Sequence, residues 1–124
     1  MGAEPLDKQF YEGAAEACEV AHWFLINKRS LHLGFFFIKI VYSIILADSI
    51  LSGDKVAKET TRALLPYLNH GVKQTPKGTL LIVDGKELHP RDYEKEVAKI
   101  IDRYRDHIVE KHDIRPRFVK EMIG

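Results

Sequence analysis

The chain is poor in cysteine, in side-chain amides and in net charge, and each shortage excludes something. Its 124 residues hold one cysteine, Cys18. An intramolecular disulfide framework and a zinc site built on several thiolates are therefore both ruled out. Asn27, Asn69, Gln9 and Gln74 are the only side-chain amides, while charged residues make up 30% of the chain. Few thermolabile amides beside many charges is a thermophile-like balance. The formal net charge is +1, so no global field draws the chain to nucleic acid and any basic surface must be local. The opening MGAEPLDKQF has no basic stretch leading into an apolar one, and a cytoplasmic protein without a secretory signal is expected. There is no internal repeat, low-complexity tract or linker. A single domain, 1–124, is expected, long enough for a core without staples.

What the chain has in abundance is one apolar run, Leu31–Leu51, LHLGFFFIKIVYSIILADSIL. A helix that is apolar all round is a buried one. Lys39 in mid-run and Asp48 beyond it speak against a bilayer span, so no membrane partner is expected. The run reads as the central and most buried helix of an all-α protein, an up-down four-helix bundle. Its aromatic segment, Leu33–Ile38, exceeds what three neighbours would cover. A homodimer is therefore expected, with Phe35, Phe36 or Trp23 near the contact.

Around this run the periodicities place three more helices. Leu6, Phe10, Ala14, Cys18, Ala21 and Leu25 recur every three or four residues, predicting an amphipathic helix from Pro5 to about Asn27. On that stripe Cys18 is a small core residue. Ser30 is placed to cap the central helix, and Gly53 to end it in the left-handed conformation. Asp54 then reads as the N-cap of a third helix running to about Leu65, where Pro66 stops or kinks it. Asn69–Thr79 reads as a plain loop. Thr79–Leu88, with Asp84-Gly85 at its middle, predicts a small β-hairpin before the last helix. His89 and Pro90 open that helix, which runs to about His112 with Tyr93, Val97, Ile100, Ile101, Tyr104 and Ile108 inward. A basic tail follows from Ile114, with Phe118, Val119, Met122 and Ile123 as apolar anchors.

Chemistry-bearing residues are sparse. None of the six histidines pairs with another at i,i+4, and no metal site or cofactor is expected. GxSxG, Walker and dinucleotide patterns are absent. Asp48, one turn from Ile44 and Leu51, is expected to be at least partly buried and hydrogen-bonded, tying the turn after Gly53 to a neighbouring helix. One cluster stands out in RYRDHIVEKHDIRPR. Arg103, His107, Lys111, Arg115 and Arg117 read as a basic binding surface. Arg105 and His112, seven residues apart, share a helical face. Arginine can hold a phosphate and histidine can move a proton near neutral pH. Such a pair could cleave RNA through its own 2′-hydroxyl. The competing reading is a solvated, salt-bridged helix end, with Asp106, Glu110 and Asp113 interleaved and cations favoured by the helix dipole.

Ala47-Asp48-Ser49, Ser52-Gly53-Asp54 and Leu64-Leu65 together resemble the HEPN superfamily of small prokaryotic four-helix bundles. The resemblance implies a cytoplasmic homodimer working beside a nucleotidyltransferase partner, in a toxin–antitoxin pair, or on RNA or a nucleotide. Ribonuclease members carry Arg-x(4–6)-His, and Arg105-x6-His112 has that spacing. In the family the motif sits early in the helix after the long loop, whereas Lys77–Gly85 contains neither arginine nor histidine. The expected function is therefore a non-catalytic HEPN-like module that dimerises and binds a partner protein, nucleotide or RNA. The alternatives are a metal-independent, toxin-like endoribonuclease using Arg105 and His112, and a structural assembly protein.

Overall fold

The computed structural model describes residues 6–28 and 31–114. Asp7 opens the first helix: its carboxylate accepts from Phe10 N at 2.9 Å, and α1 runs over Lys8–Trp23. The start expected at Pro5 lies outside the described residues. The α-helical ladder stops at Trp23, short of Asn27, because Phe24–Lys28 winds as a π-helical turn. Its Leu25 is fully buried. The cap expected at Ser30 also lies outside the described residues.

Helix α2 spans Leu31–Ser52. Gly53, at φ 74°, ends it, and Gly53 N donates to Ser49 O at 3.2 Å. Asp54 then caps α3, Lys55–Leu68, by accepting from Ala57 N at 2.9 Å. Pro66 lies inside α3, which continues past the expected end at Leu65 and closes through Asn69 N on Leu65 O at 3.1 Å. One missing N–H near a helix end is a smaller loss than one in its middle.

Three strands follow: β1 Gly71–Thr75, β2 Gly78–Val83 and β3 Lys86–Leu88, in the antiparallel order β1-β2-β3. The predicted hairpin is β2–β3, turned by Asp84 and Gly85 at φ 50° and 78°. Two left-handed residues are what a two-residue turn of the right twist requires. Within the stretch expected to be a plain loop, β1 is the correction. GVKQT has no apolar alternation and is nearly all exposed, so only its pairing with β2 defines it. Leu81 and Val83 point inward beneath this sheet. Helix α4, Pro90–His112, follows and ends at Asp113 in the left-handed conformation with Ile114 N on Val109 O at 3.1 Å.

Among the described residues the fold is therefore mostly helical, with four α-helices and a small antiparallel sheet. α1 packs on α2 and α4, α3 packs on α2 and α4, and the sheet rests on α4. The core is a layering of large on small. Tyr93, Val97, Ile101, Tyr104 and Ile108 of α4 and Ile38, Val41 and Ile45 of α2 close onto Ala14, Ala15, Cys18 and Ala21 of α1.

The all-round burial expected of α2 from its all-round apolarity is found on one side only. Gly34, Ile38, Val41, Ile45, Asp48 and Ser49 face inward. On the opposite side Phe36 is 58%, Ile40 37%, Ile50 69% and Leu51 51% exposed. Uniform apolarity does not say which side is covered, and the neighbours of α2 reach one side only. It is also the one helix among the described residues long and apolar enough to cross a membrane, over Gly34–Ser52, by length and composition alone.

Candidate functional site

A linked set of polar side chains converges where α2 ends, α3 begins and α4 finishes. Asp48, in the last turns of α2, is 1% exposed. Its Oδ1 accepts from the Tyr11 hydroxyl at 2.7 Å and from Ser52 Oγ at 2.7 Å, and its Oδ2 accepts from the Tyr104 hydroxyl at 2.7 Å. A buried carboxylate is tolerable only with partners of this kind. Ser52 links inward to outward, since its Oγ also accepts from Asp54 N at 3.1 Å. The tie expected from Asp48 to a neighbouring helix thus reaches two helices, α1 through Tyr11 and α4 through Tyr104.

Asp54 forms the outer half. Besides capping α3, it accepts from Lys111 Nζ at 2.7 Å and from His107 Nε2 at 3.0 and 3.1 Å. Burial alone would raise its pKa, but Lys111, the Ala57 N–H and His107 outweigh burial and hold it down at about 2. His112 lies flat on Tyr11, ring centroids 3.6 Å apart at 13°. Burial, then the charge of Lys111, lowers its pKa below the ordinary histidine value. Burial and the bond to Asp48 push both tyrosine hydroxyls far above theirs.

Each residue of the sequence-predicted cluster has a place. His107, Lys111 and His112 meet at this end. Arg105 binds Asp106 at 2.9 Å, and Asp106, Asp102 and Glu19 raise its pKa against the effect of burial. Arg103 reaches Glu59 of α3 at 3.4 Å. Arg115 and Arg117 lie outside the described residues. Arg105 and His112 share the α1-facing side of α4 but are not brought together. His112 sits on Tyr11, while Arg105 lies in the field of Glu19, eight residues and roughly 12 Å further along α1. A groove of about 500 Å³ runs beside the cluster, lined by Val56, Arg103, Asp106, His107, Glu110 and Lys111.

Chemically this arrangement holds helix ends together. Every oxygen of Asp48 and Asp54 already accepts hydrogen bonds, and the cations lie on carboxylates. Cys18 is buried and its thiol is pushed well up by that burial, so it supplies no thiolate. Among the described residues no group of His, Cys, Asp and Glu is arranged to hold a metal ion. Sequence reasoning missed Tyr11, Ser52 and Tyr104 as partners of Asp48. The available signal was the carboxylate in an apolar helix, which demands donors without saying from where. The chain matches no protein-family model, no curated protein and no solved structure.

Proposed function

We propose that this chain is a non-catalytic, HEPN-like helical module, an up-down four-helix bundle that self-associates and works by binding. The side-by-side contacts of α1 with α2, α2 with α3, α3 with α4 and α4 with α1 suit that bundle arrangement. The observation carrying the functional reading is the outer face of α2. Of the six exposed large apolar side chains among the described residues, Phe36, Ile40, Ile50 and Leu51 all belong to this helix. An apolar face of this kind marks a protein contact.

A protein partner, whether a nucleotidyltransferase, an antitoxin or a second copy, suits that surface better than RNA or a nucleotide. Phosphate binding draws on free cations, and Arg103, Arg105, His107 and Lys111 are engaged with Glu59, Asp106 and Asp54. The ribonuclease alternative would need Arg105 released from Asp106 and His112 from Tyr11 before the two could share a phosphate.

Sedimentation velocity of the full chain tests the self-association directly. A mass of two chains at micromolar concentration is expected. A single-chain mass persisting at hundreds of micromolar contradicts it.

A further inference from the structure

Along the outer side of α2 stand Phe36, Ile40, Ser43 and Ile50, all exposed, with the half-buried Ala47 between the last two. Their spacings alternate between four and three, the period of a seam between two helices. The positions flanking Ser43 also pair off on either side of it. Phe36 and Ile50 lie seven residues to either side, and Lys39–Ile40 is matched by Leu46–Ala47. Ile40 and Leu46 stand three residues to either side, and Ser43 is the small residue at the centre, where the backbones would cross. Ser43 is the one polar side chain at that centre, and its hydroxyl already donates to Lys39 O of its own helix at 3.0 Å. It therefore needs no partner if water is excluded.

We infer that α2 pairs antiparallel with α2 of a second copy about a two-fold axis at Ser43, which sets Phe36 against Ile50 of that copy. This rests on the self-association proposed above and adds its surface and register. A face that matches itself on rotation is what an isologous interface requires. Charge selects the direction. Lys39 is the only charged residue on the exposed face of the helix among the described side chains. In a parallel pair it would stand opposite its own copy. In the antiparallel pair it faces Ala47 of the second copy, and the two lysines lie roughly 12 Å apart along the axis. The helix dipoles also oppose favourably in that arrangement.

Cysteine cross-linking on the full chain tests this. Cys18 is buried and stays out of the reaction. Phe36→Cys mixed with Ile50→Cys should give a cross-linked heterodimer under mild oxidation, and Ser43→Cys should link to itself. Phe36→Cys alone should remain uncross-linked. Self-linking of Phe36→Cys as fast as the mixture overturns the antiparallel register. Wild type that sediments as a dimer while none of the three sets cross-links overturns the α2 surface and leaves dimerisation standing. Wild type that sediments as a monomer and co-floats with anionic phospholipid vesicles overturns both, and makes a membrane the occupant of this face.

Discussion

Tyr11 and Tyr104, ninety-three positions apart in the chain, donate to opposite oxygens of the same carboxylate, Asp48, each at 2.7 Å. One buried charge thereby fixes the spacing of three helices. Hydrogen bonds to a charged acceptor are worth about 1.5–3 kcal/mol each. Tyr104→Phe is expected to cost an amount in that range, measured by urea unfolding. Tyr11→Phe should cost less, because Oδ1 keeps its bond from Ser52 Oγ, whereas in Tyr104→Phe Oδ2 loses the Tyr104 hydroxyl that it accepts from. The double variant should depart from additivity by at least about 0.5 kcal/mol, since both bonds share one acceptor. Strictly additive losses would mean that the two tyrosines act separately.

Asp54 sets an acid limb of stability. Its folded pKa of about 2 lies below the roughly 3.9 of an unfolded aspartate. The folded state therefore binds fewer protons. The contribution is complete above about pH 4 and is lost as pH falls toward 2. Its size is on the order of 2 kcal/mol by the free energy of one pKa unit. In Asp54→Asn this limb should flatten relative to wild type, and in Lys111→Met it should shrink. An unchanged slope in both would remove Asp54 from the acid response.

The two neighbouring isoleucines of α2 should behave differently. Ile45 is fully buried, and Ile44 lies at the edge of the covered face. Ile45→Asp buries an unpaired charge and should unfold the domain at a cost of several kcal/mol. Ile44→Asp can turn its carboxylate toward water, and its thermal midpoint should fall by less. Equal losses would contradict the orientation of the helix.

What was legible in the sequence follows from the range of the interactions involved. The stripe of α4, the cap at Asp54, the stop at Gly53 and the turn at Asp84-Gly85 are written in local periodicity or in single-residue conformational needs, and they could be read. The strand β1 could not. GVKQT is held by hydrogen bonds to β2 and carries no burial pattern of its own. The covered side of α2 was equally silent, because an evenly apolar helix points nowhere until its neighbours are placed. At the polar end, the burial of Asp48 was readable from its surroundings in the helix. Its donors come from α1 and α4, and no spacing rule connects Tyr11 or Tyr104 to it. The basic residues of α4 were visible as a cluster. Arg105 pairs with its sequence neighbour Asp106, but Glu59 and Asp54, the partners of Arg103, His107 and Lys111, belong to α3 and its cap, which hid that pairing.

Whether the arginine–histidine cluster is structure or chemistry decides between binding and catalysis, and one assay addresses it. Purified full chain is incubated with a defined single-stranded RNA in EDTA, and the products are resolved at nucleotide resolution. Intact RNA is expected, with His112→Ala altering only the thermal midpoint through loss of its stack on Tyr11. Metal-independent cleavage by the wild type that disappears in both Arg105→Ala and His112→Ala would contradict the non-catalytic reading and make those two residues a ribonuclease site.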